Sequence, residues 1–426
     1  MNAWYNRYRN ILHLHFSEGF YQLPESAKNA VSPTSPFKRV LKMAGYTVVR
    51  LLGNLFQQVE HPDKLKGEVW LYVVSQNNYD SLTFVQQGLP EAVFVAGQNK
   101  EIGKYNPVVE RLSLRRKLLY YYRFIPLYFQ FLKYKPHITK RFPDILFDAV
   151  GFYEVYLRKL RKYKPQAIVF ANDHNPDARA MLLAAKALGI KTIYVQHASV
   201  STIFPPLLFD LSLLEGQDSL DKYKACGPVA GLVEFIGMPK ADAFVPYRNQ
   251  HRTIRTIGIG GNLMDLMPET EQLVRTLAEG FPQVSLILRP HPRDKRDFTF
   301  LLTLFPNISL SSAAQEHTFD YLRKLDVQIS GNSGIHLEAV LLNVWSIFYN
   351  FNPHEKLHDY YGFVQHGLID TVQDPDSLAL LLEQHLSQKP EVYLRAQYYN
   401  ATVGTAYDGR SGELALRFIK EFIGVN

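Results

Sequence analysis

Short apolar runs recur along this chain, separated by stretches whose apolar residues return every three or four positions. The runs VWLYVV (69–74), EAVFVA (91–96), AIVFAN (167–172) and KTIYVQ (191–196) read as buried parallel strands. Strands covered on both faces are apolar throughout rather than alternating. Between the last two lies a well-marked helix: Asn175 can cap it, Pro176 suits its first turn, Asp177 favours its positive end and Gly189 ends it. Strand, capped helix, strand within about 30 residues is a βαβ unit.

A Pro-rich, weakly periodic stretch at 236–255 interrupts the pattern, and a second series follows. It runs TIGIGGN (256–262), a helix near 269–280, VSLILRPHP (284–292), a helix near 317–324, DVQISGNSG (326–334), a helix near 333–342 and VWSIFY (344–349). Two successive α/β series in 426 residues predict two Rossmann-like, doubly wound domains facing a central cleft. The N-terminal, acceptor-binding domain is expected over 1–245, with 1–65 only loosely assigned, and the C-terminal, nucleotide-donor-binding domain over 250–405. The segment 406–426 contains GELALRFIKEFI, expected as a helix that packs back on the N-terminal domain.

Composition narrows the partners. With 46% hydrophobic and 20% charged residues the chain is an ordinary globular one, so disorder is not the reading. The single cysteine, Cys226, allows no intramolecular disulfide and no thiolate cluster, which points to the cytoplasm. The N-terminus lacks the pattern of a secretory signal, and the most apolar stretch, LLYYYRFIPLYFQFL at 118–132, is broken by Arg123 and Pro126 and falls short of the roughly 18 apolar residues a span needs.

The net charge of +7 is unevenly placed: residues 111–141 hold nine Lys and Arg, no Asp or Glu, and eight Tyr and Phe. Basic residues mixed with aromatics suit the inner face of the cytoplasmic membrane, where each cation near anionic lipid is worth about 1 kcal/mol. The same pattern also fits a solvated helix whose aromatic stripe packs into its own domain. No zinc-finger spacing, RNA-recognition signature or helix-turn-helix pattern accompanies the charge, so nucleic acid is not the expected partner.

In an open parallel sheet, ligands bind outside the carboxyl ends of the strands, and four such loops carry unusual chemistry. In GIGGN (258–262), Gly260, Gly261 and Asn262 let the backbone approach a phosphate, although such loops also serve as plain tight turns. In RPHPRD (289–294), Pro290 and Pro292 stiffen the chain around His291, and Arg289 and Arg293 are fork-shaped anion donors.

In SGNSGIHLEA (330–339), Ser330, Asn332 and Ser333 can cap a helix whose first N–H groups receive phosphate oxygens, with Gly331 and Gly334 opening the turn. Glu338, one turn on, can accept from ribose hydroxyls or stay solvated. In the N-terminal half, NDHNPD (172–177) and QHAS (196–199) offer Asp173, His174 and His197 as bases for an acceptor hydroxyl, each also readable as a turn or cap residue.

RPHP followed by SGNSG resembles the HP and serine motifs of bacterial sialyltransferases and polysialyltransferases, and the related layout of capsule Kdo transferases and teichoic-acid glycerophosphotransferases. The line KPQAIVFANDHNPDARAMLLAAKALGIKTIYVQHA, then FDLSLLEG and IGMPKAD, is similar to the end of the N-terminal domain in that superfamily, and the likeness spans roughly 165–350.

The resemblance implies a GT-B fold and inverting, metal-independent transfer from a nucleotide-activated sugar, with CMP-sialic acid or CMP-Kdo favoured, to a capsular or lipopolysaccharide glycan or its lipid-linked form. It implies no cofactor. It places His291 and Ser330–Ser333 on the donor phosphates and a carboxylate as base. The acidic-acidic-glycine motif of polysialyltransferases is missing, so NDH takes that place by substitution.

CDP-glycerol glycerophosphotransferase is an alternative within the same group. SGIHLEA also looks like the turn of non-hydrolysing UDP-GlcNAc 2-epimerases, whose N-terminal Gly-Thr-Arg-Pro turn is absent. A non-enzymatic scaffold for capsule assembly is the third reading, disfavoured by the intact His291 and Ser330–Ser333.

Overall fold

The computed structural model describes residues 3–56, 60–98, 108–263, 265–352 and 359–425. The chain divides into two compact units, one of Met1–Ile236 with Gly412–Asn426 and the other of Gly237–Ser411.

Among the described residues the first unit is built on seven parallel strands: β1 (Val69–Tyr72), β2 (Val93–Gly97), β3 (Glu110–Leu112), β4 (Ala167–Phe170), β5 (Lys191–Val195), β6 (Leu211–Leu214) and β7 (Leu232–Phe235), in the order 3-2-1-4-5-6-7. β1, β4 and β6 are buried along their whole length, as expected for strands covered on both faces. The helix Pro176–Lys186 starts at Asn175, whose side chain accepts from the Asp177 N–H at 3.0 Å. Gly189 closes the helix end with φ +68°, a left-handed conformation that favours glycine.

The C-terminal helix Ser411–Ile423 runs into this unit: Leu416 fills the space beside Gly88, and Lys191 Nζ donates to the Phe422 carbonyl at 2.8 Å.

Among the described residues the second unit carries six parallel strands: β8 (Thr256–Gly260), β9 (Ser285–Arg289), β10 (Ile308–Leu310), β11 (Val327–Ser330), β12 (Trp345–Tyr349) and β13 (Asp370–Val372), ordered 10-9-8-11-12-13. Its core gathers Ile257, Ile259, Leu288, Ile329, Val340 and Ile347 from strands and helices alike.

In each sheet the strand order reverses once, between β1 and β4 and between β8 and β11. Loops leaving the sheet on either side of such a switch point diverge and open a crevice at the carboxyl ends.

Five strands fall outside the runs read from the sequence: β3, β6, β7, β10 and β13. Three of them are three-residue strands, ERL, ISL and DTV, that mix polar with apolar residues, and β7 is partly exposed along its length. Such edge segments lack the continuous apolar signal of a central strand. The N-terminal stretch ahead of β1, left open by the sequence, contains a series of helices, among them the 21-residue helix Pro36–Phe56.

Candidate functional site

Register brings three loops of the second unit together. Gly260 is the sheet neighbour of both Arg289 and Ser330, so GIGGN, RPHP and SGNSG leave the sheet side by side at its switch point. Hydrogen bonds stitch them further. The Ser330 hydroxyl donates to the Gly260 carbonyl (2.7 Å), the Asn262 side-chain amide to the Asn332 carbonyl (3.1 Å), and the Arg296 guanidinium to the Asn262 carbonyl (3.1 Å). A Cβ at Gly260 would stand 2.6 Å from Ser330 Oγ, so a side chain there would displace the Ser330 hydroxyl.

The loops border a pocket of about 380 Å3, lined by Gly260, Gly261, Arg289, His291, Pro292, Ser330, Ser333, Gly334 and Glu338 together with Glu316, His317 and Thr318. The Nδ1 of His291 accepts from the Arg293 N–H at 3.1 Å, which leaves the ring proton on Nε2 as a donor. Burial, with Arg293 nearby, holds this imidazole below its ordinary pKa. His317 repeats the arrangement: its Nδ1 accepts from the Phe319 N–H at 3.4 Å, capping Thr318–Leu322, and its ring stacks on Phe244. Two imidazoles thus line one pocket with Nδ1 spent on backbone and Nε2–H available.

Several expected roles change. Ser330 is buried and its hydroxyl proton goes to Gly260, so of the two serines of SGNSG it is Ser333 whose hydroxyl proton is not spent; its Oγ accepts from the Ile335 N–H at 3.4 Å. The N-cap of the short helix Ile335–Leu341 is Gly334, at φ −64° with open space where a Cβ would stand, and the serine that takes the first helix N–H lies one residue ahead of it. Asn332 instead accepts from the Tyr360 N–H (3.3 Å).

Arg289 is buried and its guanidinium donates to Ser311 Oγ (2.6 Å) and the Glu316 carbonyl (2.7 Å), so it braces the 311–316 loop rather than forking onto a phosphate. Arg293, exposed, is absent from the pocket lining. Glu338 pairs with Lys240 at 2.6 Å, and Gly331 gives its carbonyl to His336 Nε2 at 2.9 Å.

In the first unit the loop after β4 is shaped by Asn172, whose side-chain oxygen accepts the N–H groups of His174 (3.2 Å) and Asn175 (2.8 Å). Asp173 is buried, and both its oxygens are occupied: one by His174 Nδ1 (2.9 Å), the other by the Tyr223 hydroxyl (2.7 Å). Burial alone would raise its pKa, but the His174 and Tyr223 hydrogen bonds outweigh it and hold the carboxyl below its usual range.

Asp173 is thus ionised with both oxygens engaged, one of them holding the His174 ring. His174 keeps Nε2 for a proton and is partly exposed, with its ring against Phe204. His197 Nε2 accepts from the Asn78 amide at 3.2 Å, which uses its lone pair.

Close to this loop a second pocket, of about 350 Å3, is lined by His15, Lys42, Tyr46, Asp148, Asn175 and Asp177. His15 is pushed down to about 4 by burial, and its Nδ1 finds no partner among the described residues. Asp177 accepts from the hydroxyls of Tyr72 and Tyr156.

Glu316, His317 and Thr318 fall outside the residues singled out from the sequence; HTF reads there as a helix start, and the only signal is a histidine at the cap position. Tyr223 and His15 carry none. Among the described residues no group of three or more His, Cys, Asp or Glu is set to hold a metal ion, and no helix is long and apolar enough to cross a membrane.

No protein-family model and no curated protein sequence matches the chain. Solved structures do. The UDP-GlcNAc 2-epimerase from Neisseria meningitidis, bound to UDP-GlcNAc, is 13% identical with a TM-score of 0.53, over 83% of this chain and 100% of that one. The glycotransferase of kitacinnamycin is 13% identical with a TM-score of 0.53, over 84% and 99%. The wall teichoic acid polymerase TagF is 11% identical with a TM-score of 0.50, over 91% and 97%. At these identities the likeness concerns the fold: the chain has two Rossmann-like α/β domains of the GT-B type.

Proposed function

We propose that the chain is an inverting glycosyltransferase that takes a nucleotide-activated sugar, with CMP-sialic acid or CMP-Kdo favoured, and builds a capsular or lipopolysaccharide glycan. The observation that carries the reading is the pocket at the β8/β11 switch point, lined by His291, His317 and Ser333, where each imidazole has Nδ1 on a backbone N–H and keeps its proton on Nε2 and the Ser333 hydroxyl keeps its proton. These are hydrogen-bond donors fixed in advance, which is what a leaving nucleotide phosphate needs as it gathers charge.

In this reading the first unit supplies the acceptor site and the base. Asp173 accepts Nδ1–H of His174 and stabilises the imidazolium; His174 Nε2 takes the proton of the acceptor hydroxyl as that oxygen attacks the anomeric carbon and the nucleotide leaves. One displacement inverts the centre. The second pocket, with charged, hydroxyl and amide side chains in its lining, suits a polyhydroxylated glycan. The basic, aromatic segment 111–141 is read as a membrane contact that suits a lipid-linked acceptor.

Two other activities fit the same donor site. CDP-glycerol would make the chain a glycerophosphotransferase; UDP-GlcNAc without an acceptor would make it a 2-epimerase. The test is an incubation with CMP-, CDP- and UDP-linked donors and a glycan acceptor, in the presence of a chelator, with the products resolved by mass spectrometry. Acceptor-dependent nucleotide release, lost in His174→Ala, is the expected result. Sugar epimerisation without an acceptor would refute the transferase reading; acceptor-dependent turnover untouched by His174→Ala would refute His174 as the base.

A further inference from the structure

The helix Pro36–Phe56 is amphipathic in the reverse sense. Phe37, Leu41, Val48, Leu51 and Leu55 recur at helical spacing and are all exposed, with Ala44 on the same stripe. The opposite face, which packs on Arg115–Arg123 and Pro143–Ala149, is charged or polar. There Arg39 donates to the Lys140 carbonyl, Lys42 pairs with Asp144 at 3.0 Å, Arg50 with Asp148 at 3.4 Å, and Asn54 donates to Ser113 Oγ. A helix whose polar side makes its ion pairs and hydrogen bonds inside its own unit and whose apolar side faces outward is ordered for an apolar neighbour.

The segment it packs on continues the surface. Through Arg115–Arg123 and Phe124–Tyr134, the residues Leu119, Tyr122, Ile125, Phe129 and Tyr134 are exposed. Exposed cations accompany them: Lys38 on the long helix, then Arg115, Arg116 and Lys133. No Asp or Glu occurs in 26–59 or in 111–141. Apolar stripes bordered by lysine, arginine and exposed Tyr and Phe rings, with no carboxylate among them, match the headgroup boundary of an anionic bilayer. A partner protein covering the same face would be expected to present acidic and apolar groups together; a lipid surface presents both by construction.

We infer that Pro36–Phe56 lies in the plane of an anionic membrane as an interfacial helix, its apolar stripe among the acyl chains, with Arg115–Tyr134 seated beside it. This deepens, and rests on, the reading of 111–141 as a membrane contact, and moves the main apolar seat to a helix ahead of β1. Lys42 and Tyr46, on the inward face of the same helix, line the pocket of the first unit, so the element that would touch lipid also forms a wall of the candidate acceptor site.

The test uses the full chain, sedimented with vesicles of equal parts phosphatidylcholine and phosphatidylglycerol and with vesicles of phosphatidylcholine alone. We expect binding to the anionic vesicles that weakens as salt is raised, at least about tenfold weaker in the triple variant Leu41→Glu, Val48→Glu, Leu55→Glu. Because all three side chains are exposed, the variant should keep its circular dichroism and its nucleotide affinity.

Full vesicle binding by the triple variant would overturn the proposal. So would failure of the unaltered chain to bind either vesicle. A dimer in sedimentation equilibrium that the three substitutions split, without vesicle binding, would assign the face to a second copy and overturn it as well. Loss of nucleotide binding in the unaltered chain would instead refute the transferase reading and leave the membrane result standing.

Discussion

His291 and His317 carry their chemistry through a tautomer. In each, a backbone N–H occupies Nδ1 and the proton sits on Nε2. Protonating Nδ1 of His291 would break its bond from the Arg293 N–H, and burial with Arg293 nearby holds the imidazole below its ordinary pKa, so the ring should meet a phosphate as the neutral Nε2–H donor. Nucleotide binding should then take up no proton at His291. Calorimetry in buffers of different ionisation enthalpy would measure the proton count, which His291→Gln should leave unchanged. Proton uptake that disappears in that variant would contradict the neutral donor.

At the other site, Asp173→Asn should lower kcat while leaving the nucleotide affinity alone, because the carboxylate orients His174 and touches no substrate. His174→Ala should lower kcat by about 10²–10⁴-fold. A variant Asp173→Asn with unchanged kcat would mean that the dyad is structural.

Elements show which glycines are there for packing and which for a ligand. A Cβ at Gly260 would stand 2.6 Å from Ser330 Oγ and 2.8 Å from Gln328 Nε2, so Gly260→Ala should cost about 1–3 kcal/mol of stability, read by urea unfolding. Gly334→Ala meets nothing within 4 Å and has an ordinary φ, so it should unfold like the unaltered chain. Its added methyl would crowd a phosphate at the helix start, and the nucleotide affinity should fall. Equal affinity would place the phosphate elsewhere in the pocket.

The turn SGNSG is held from behind by His336, buried, with Nε2 on the Gly331 carbonyl and Nδ1 on the Ser346 hydroxyl. Burial pushes this histidine down to about 4. The unfolded chain takes up the proton first as pH falls below 6.5, so the stability this group contributes is present above 6.5 and is lost between 6.5 and 4, on the order of 3 kcal/mol. Thermal unfolding across that window should therefore be steeper for the unaltered chain than for His336→Gln; parallel slopes would contradict it.

The sequence was legible where burial and function leave separate marks. RPHP and SGNSG stood out because prolines, a histidine and small residues followed apolar runs, and the strands ending in them were central. The helix at 176–186 was readable from its cap. What stayed hidden had no local mark. Ser330 looked like a ligand-facing serine because one sequence does not tell which hydroxyl the neighbouring strand consumes, and Arg289 looked like an anion fork because its partners, Ser311 and Glu316, lie beyond the next helix and strand. The helix 36–56 hid its place because its apolar stripe faces outward, opposite to the rule by which a stripe marks the core.

At the scale of the whole molecule, each Rossmann-like unit places its unusual side chains at the switch point of its own sheet: Gly260, His291 and Ser333 in one, Asp173 and His174 in the other. The doubly wound topology explains why residues from distant parts of the sequence gather there, and the wide range of enzymes with this fold explains why the topology alone names no substrate. The transferase function proposed for the chain therefore stands on the donor pocket of the second unit.

The most direct test is a calorimetric titration of the purified chain with CMP, CDP and UDP without added metal, repeated on His291→Ala and Ser333→Ala. One nucleotide should bind, and each substitution, by removing a hydrogen bond to a charged phosphate, should weaken it roughly ten- to a hundredfold with the fold intact. Indifference to all three nucleotides, or binding that neither substitution touches, would contradict a nucleotide-donor site at this pocket.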